Sequence, residues 1–210
     1  IVPIGWGNRG AEGKISAIKY AREKKIPYLG LCYGMQLACV EFARNVVGLK
    51  DANSVEMNPD TPDPIIHDIP MNSKYQVIKG KGTSMRLGSF DCYLKNNTLA
   101  SSVYLKHNQA EELSDNQKAK EKVTAAGNIK ISERHRHRYE FNNEYRDAID
   151  KAGLQVVGIN PESDLVEIVE LKGHPFFVGV QFHPEFKSRP MKPHPLFRDF
   201  IGAVVKISKQ

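Results

Sequence analysis

A cysteine stands between two glycines in Gly30-Leu31-Cys32-Tyr33-Gly34, with the apolar run Pro27–Leu31 before it and an apolar stripe after it. A strand that turns straight into a helix across Gly-x-Cys-x-Gly projects the central side chain from a sharp elbow, since glycines tolerate tight turns. The helix start places partial positive charge under the sulfur, which predicts a lowered thiol pKa and a nucleophilic thiolate. The alternative is a buried cysteine at a strand end. That plainer reading is the one adopted for Cys39 and Cys92, which lack such a setting.

A thiolate that attacks a carbonyl needs a proton-transfer partner, and Gln181-Phe182-His183-Pro184-Glu185-Phe186 offers one. In extended chain, positions two apart project to the same side, so His183 and Glu185 face one pocket and the carboxylate fixes the imidazole tautomer. Nucleophile, base and orienting acid together make the set that acyl transfer requires. A second run, Glu133-Arg134-His135-Arg136-His137-Arg138-Tyr139-Glu140, is basic enough to attract phosphates. Alternation along a strand sets His135 and His137 opposite the three arginines, which suits a structural histidine layer better than a nucleic-acid tract.

The elements that must position these groups alternate. Ile1–Ile4 reads as a short strand ending in a glycine turn, Ala11–Lys25 as a helix, Pro27–Leu31 as a strand and Tyr33–Val47 as an amphipathic helix. That rhythm predicts an α/β fold with a mostly parallel central sheet flanked by helices. Asn58–Pro70, with prolines at 59, 62, 64 and 70, reads as loop, and Ser84–Leu87 and Phe90–Leu94 as short strands around Gly88. Lys106–Asn128 is polar without apolar periodicity and reads as a surface insertion. Asn142–Ala152 reads as a helix capped by Gly153. Leu154–Ile159, Leu165–Leu171 and Phe176–Gln181 read as extra antiparallel strands, and a last helix starts at Pro195. No domain boundary stands out, so residues 1–210 read as one domain.

Composition sets the outer limits. The 210 residues are 40% hydrophobic and 26% charged, enough for a core without staples. No apolar run approaches the roughly 18 residues of a membrane span, and no signal peptide is visible. Three cysteines without a Cys-x-x-Cys pair argue against a disulfide framework and a zinc knuckle, and predict a cytoplasmic protein. A net charge of +6 is compatible with phosphate-bearing partners without demanding them. Neither nucleic acid nor membrane is expected as a partner.

Gly-Leu-Cys-Tyr-Gly-Met-Gln with Gln-Phe-His-Pro-Glu resembles the class I (triad) glutamine amidotransferases. Glu41–Val46, Ala52–Glu56, Met85–Gly88 and Glu133–Glu140 narrow the resemblance to the glutaminase domain of the CTP synthase family. It covers nearly the whole chain except 106–128. The resemblance implies a catalytic triad of Cys32, His183 and Glu185, and oxyanion donors from the backbone of Gly5 and Tyr33. It further implies a glutamine site involving Gly34, Met35, Gln36, Glu56 and Arg138. Glu56 would pair the α-ammonium and Arg138 the α-carboxylate. By the same resemblance the domain hydrolyses L-glutamine to glutamate and ammonia without a cofactor or metal of its own. The intact enzyme adds a synthase domain that aminates UTP to CTP with ATP and Mg, activated by GTP.

The chain departs from the family in three places. Ile4 replaces a glycine in Pro3-Ile4-Gly5-Trp6-Gly7, Tyr33 stands where leucine is usual, and Thr83-Ser84-Met85 replaces Gly-Thr-Met. The resemblance also implies that the N-terminal part of the domain, roughly 30 residues and βαβ-sized, precedes this first strand, as does the synthase domain. Two other readings stay open on the residues: another cysteine hydrolase such as a γ-glutamyl peptidase, and a non-enzymatic glutamine-binding regulatory module.

Overall fold

The computed structural model describes residues 1–69, 76–77, 84–109, 111–112 and 129–209. Helix α1 (Ala11–Glu23) turns Ala11, Ile15 and Ile18 inward at helical spacing. Strand β1 (Tyr28–Leu31) is buried along its whole length and passes directly into α2 (Tyr33–Phe42). Every residue of α2 is buried, so the expected amphipathic stripe is instead an apolar helix wedged between α1 and two sheets. Its polar members survive burial by pairing. Glu41, for example, takes a two-pronged contact from Arg22 at 2.9 and 3.0 Å. The helix ends in one wide turn (Ala43–Val47), closed by Gly48 at φ 92°.

The chain then forms β2 (Asn53–Ser54), β3 (Pro64–Asp68), β4 (Gln76–Val77), β5 (Ser84–Leu94) and α3 (Leu99–Lys106). After these come β6 (Glu111–Glu112), β7 (Ile129–His137), β8 (Tyr139–Phe141) and α4 (Arg146–Ala152). The last elements are β9 (Leu154–Ile159), β10 (Val166–Leu171), β11 (Phe177–Val180) and α5 (Pro195–Ile207). The main sheet runs β1-β11-β10-β9-β5-β7-β6 with β4 on β5, and a small sheet runs β2-β3-β8.

The α/β class holds, but the parallel part of the main sheet is narrower than the rhythm implies. It comprises β1 and β11, with Val2 bridging Gly30 alongside. The other pairs described in that sheet are antiparallel. The reason is connection length: β9, β10 and β11 follow one another through short turns, which can join only antiparallel neighbours. The expected strand Ile1–Ile4 reduces to that single bridge. The proline-rich loop holds a strand after all, because Pro64 falls at its first residue, where no ladder donor is needed. Gly88, at φ 111°, lies inside one continuous β5 and does not divide two strands. Of the segment read as an insertion, Lys106 closes α3, while residues 110 and 113–128 lie outside the described residues, as does Thr83.

Two apolar clusters sandwich the sheet. One gathers α1, α2 and α4 around Ile18, Leu37, Cys39, Ile149 and Phe177. The other gathers α3 and α5 around Leu29, Cys92, Tyr104, Val178 and Phe200. Cys39 and Cys92 are core residues, as read from sequence. Strand β7 alternates as expected, with His135 and His137 inside and Arg134 and Arg136 outside.

Inside, the histidines join a buried charged layer. Arg86 donates to Glu140 at 3.1 Å and to Glu167 at 2.6 Å, with all three side chains fully buried. His135 Nδ1 meets His137 Nε2 at 3.0 Å, and burial beside Arg86 holds both rings well below the ordinary histidine range. One guanidinium thus serves two carboxylates. Burial, with Glu167 adding repulsion against the pull of Arg86, pushes Glu140 up to about 8. The folded chain therefore keeps a proton that the unfolded chain loses near the ordinary value of 4.5. Its contribution to stability is full below that value and is lost as pH rises through the folded value. Above the ordinary histidine range, from about pH 7 to about pH 8, thermal unfolding midpoints should fall as pH rises, and Glu140→Gln should flatten that fall. An unchanged slope would place the titrating group elsewhere.

Candidate active site

Leu31 pairs with Val180 in the parallel β1/β11 pair, so both strands end at the same edge of the sheet. Sites in α/β proteins gather outside such carboxyl ends. Cys32 follows at once, its N–H donating to the Val180 carbonyl at 2.7 Å. Its backbone sits at φ 51°, ψ −101°, a strained conformation for a residue with a Cβ. The strain of the elbow thus falls on the cysteine itself, and the glycines serve a different need. A Cβ at Gly34 would stand 2.2 Å from the Val2 carbonyl oxygen, and one at Gly30 would stand 2.8 Å from the backbone of Gly34. They let strand, helix and N-terminal segment close on one another.

Beyond β11 the chain continues through Gln181 to His183. The His183 N–H is held by the Arg134 carbonyl at 2.8 Å. Its Nδ1 lies 2.6 Å from Glu185 Oε1, and its ring stacks on Phe186 at 4.7 Å with planes 6° apart. A carboxylate on Nδ1 fixes the proton there and leaves Nε2 as the basic atom. That Nε2 is buried and makes no hydrogen bond among the described residues. His183 and Glu185 do meet, but across a 3-10 turn over Pro184–Phe186 and not along the extended chain their spacing implied.

Gln181, on which sequence reasoning placed no role, also reaches the cysteine. Its Nε2 donates to Cys32 Sγ at 3.6 Å, and its Oε1 accepts from Gln36 Nε2 at 3.2 Å. Gln36 donates as well to the Tyr139 carbonyl at 2.9 Å, so its amide NH2 is engaged by the protein. The signal for Gln181 was the same two-residue alternation that picked out His183 and Glu185. Met35 is fully buried beneath Gly179, and its side chain belongs to the core.

The thiol does not follow its expected electrostatics. Burial pushes Cys32 up to about 12; the Tyr33 N–H pulls it down, and the carboxylates of Glu140, Glu185 and Glu56 push it further up. Removal from water outweighs the pull of that N–H at the helix start. A ready-made thiolate is therefore replaced by a thiol that needs a base.

On the other side of the elbow runs the Gly5–Asn8 loop. Burial raises the half-buried Glu56 carboxylate, and the Gly7 N–H and the nearby Arg138 charge lower it. Asn8 holds the Met57 carbonyl at 2.9 Å. Glu56 and Arg138 are thus brought together as an acid and a base of opposite charge, and Gly5 lies against the ring of Tyr33.

An elbow cysteine after β1 and a carboxylate-held imidazole after β11 thus lie at one edge of the main sheet, in the manner of the class I amidotransferases. The profile of "Glutamine amidotransferase class-I" matches residues 1–203, and the chain belongs to that family. Among curated relatives it is similar to CTP synthase of Caldanaerobacter subterraneus subsp. tengcongensis, 52% identical over 207 residues, covering 99% of this chain and 34% of that protein. CTP synthase of Flavobacterium psychrophilum is 49% identical over 206 residues, covering 98% of this chain and 34% of that protein. The chain therefore spans about a third of the length of these relatives. Among solved structures it is similar to the glutaminase domain of Trypanosoma brucei CTPS with bound acivicin. That match has a TM-score of 0.79 at 37% identity and covers 98% of this chain and 70% of the other.

With His183→Gln the thiol loses its base and keeps a pKa near 12. Alkylation of Cys32 by iodoacetamide, followed by peptide mapping, should then rise about tenfold per pH unit between about pH 7 and pH 10. The unaltered chain should react faster at neutral pH and with a flatter profile. Identical profiles would separate His183 from the ionisation of Cys32.

Proposed function

We propose that this chain hydrolyses the side-chain amide of L-glutamine to glutamate and ammonia through a thioester on Cys32. The observation that carries the reading is the buried, unpartnered Nε2 of His183, held by Glu185 at 2.6 Å at the strand end beside the elbow. Cys32 Sγ attacks the amide carbon and its proton passes to His183 Nε2. The carbonyl oxygen becomes an oxyanion, received by the N–H groups of Gly5 and Tyr33. His183 then gives the proton to the departing nitrogen, the C–N bond breaks and ammonia leaves. Water adds to the thioester as His183 takes one of its protons; that proton returns to sulfur as glutamate departs. Cys32 is regenerated.

The acid–base pair of the site gives specificity its physical basis. Arg138 would receive the α-carboxylate and Glu56 the α-ammonium, with Gln36 and the backbone of Gly34 and Met35 lining the path between them and the thiol. The similar glutaminase domain of Trypanosoma brucei CTPS binds acivicin, which supports a ligand-binding role for this fold. By analogy with its relatives, the ammonia serves amination of UTP to CTP in a synthase domain using ATP and Mg, with GTP as activator.

Cys32→Ala should abolish both ammonia release from glutamine and labelling by a glutamine-like electrophile while leaving thermal unfolding in place. Labelling of Cys39 or Cys92 with Cys32 untouched would end the proposal. Turnover of γ-glutamyl peptides in preference to glutamine would shift it to a peptidase. Arg138→Ala should raise KM for glutamine more than about tenfold, since a charge-assisted contact is worth about 1.5–3 kcal/mol. Arg134→Ala, on the exposed face of β7, should change KM little. Equal effects would reduce the arginines to a general electrostatic surface.

A further inference from the structure

Tyr33 is 1% exposed, yet its side chain does not simply fill the core. It runs from the first turn of α2 to the Gly5–Gly7 loop, where its hydroxyl donates to the Gly7 carbonyl at 2.5 Å and touches Met57 Sδ at 3.2 Å. Its ring carries the Lys14 ammonium on one face, 5.0 Å from the centroid. It also closes the space beside Gly5, where a Cβ would stand 3.0 Å from the ring and 3.0 Å from Lys14 Nζ. The Gly7 carbonyl is thus held by Tyr33, while the Gly7 N–H favours the charged form of Glu56. Burial pushes the phenol up to about 12, so it stays a proton donor across the working range.

We infer that Tyr33 is a positioning residue whose hydroxyl clamps the Gly5–Gly7 loop, so that the two halves of the oxyanion site move as one unit. The inference rests on the glutaminase reading and deepens it. In that reading the N–H of Tyr33 is one oxyanion donor and the N–H of Gly5 is the other. The same residue then supplies the first donor from its backbone and, through its side chain, anchors the loop that supplies the second. The loop needs an anchor of this kind. Among the described residues it has no strand pairing beyond the Val2 bridge, and it presents Ile4 and Trp6 to solvent at 42% and 79% exposure. An aliphatic side chain at position 33 has no atom that could bind the Gly7 carbonyl. Loss of the hydroxyl alone frees that carbonyl while leaving the ring and its packing in place.

Trp6 is the only tryptophan of the chain and lies within the clamped loop, so it reports loop mobility independently of catalysis. The experiment compares Tyr33→Phe and Tyr33→Leu with the unaltered chain by time-resolved fluorescence anisotropy of Trp6, kcat and KM for glutamine, and the rate of labelling by a γ-chloroketone analogue of glutamine. A whole donor is worth about 10²–10³ in rate, so a loosened one should cost roughly tenfold in kcat. The expected result for Tyr33→Phe is that kcat loss with KM and labelling within twofold, together with faster local rotation of Trp6. Tyr33→Leu should exaggerate both. Unchanged Trp6 rotation and unchanged kcat would overturn the clamp. A parallel fall in kcat, labelling and glutamine affinity would also overturn it, since general damage to the fold acts on all three. If the unaltered chain neither hydrolyses glutamine nor is labelled at Cys32, the glutaminase reading has failed. The catalytic role of Tyr33 then falls with it, whatever Trp6 shows.

Discussion

Two parallel strands that end level with each other decide where everything else in this site can be. Leu31 and Val180 are register partners, and the next N–H, that of Cys32, closes onto the Val180 carbonyl at 2.7 Å. That bond fixes the elbow against the strand from which Gln181 and His183 emerge. The backbone of Cys32 is held in a left-handed conformation that costs about 1–3 kcal/mol, and the surrounding structure must over-determine it. Gly30 and Gly34 do so by letting strand, helix and the Val2 edge approach more closely than any side chain would allow. Core burial of β1, α2 and β11 supplies the rigidity, since the four residues of β1 and the four of β11 are all buried.

From that edge the polar groups extend in two directions. Toward the interior, His183 hangs from the Arg134 carbonyl of β7, whose inner face carries the histidines and the Arg86 layer. Glu140 and Glu185 both oppose ionisation of Cys32, so this interior also bears on the thiol. Toward solvent, the Gly5–Asn8 loop is tied to Glu56, Met57 and Tyr33. Cys32 sits where the buried polar layer meets the Gly5–Asn8 loop. A high thiol pKa in such a place protects the sulfur until a base accepts its proton.

Much of this was legible in the sequence because it is local. Cys32 between glycines, and His183 two residues before Glu185, each depend on a handful of neighbouring positions. The alternation of Arg134–Arg138 needed only strand periodicity. What escaped was tertiary. The helix-terminus argument lowers a thiol locally, but removal of Cys32 from water by residues distant in sequence reverses the sign. Arg86, Glu140 and Glu167 lie on three different strands, and no spacing rule brings them together. Gln181 carries an amide with no distinctive chemistry until its contact with Cys32 Sγ is seen. The early strand–helix rhythm overstates the parallel part of the sheet, because hairpins join β9, β10 and β11. Pro64 hid a strand by sitting at its first position.

The account stands or falls on the covalent step. Mixing the chain with glutamine, quenching in acid within the first turnover and mapping the peptides by mass would test it directly. The account predicts a glutamyl group on the peptide carrying Cys32, appearing together with one equivalent of ammonia and vanishing as glutamate is released. Ammonia formed with no modified Cys32 peptide at any time would contradict it and point to direct attack by water.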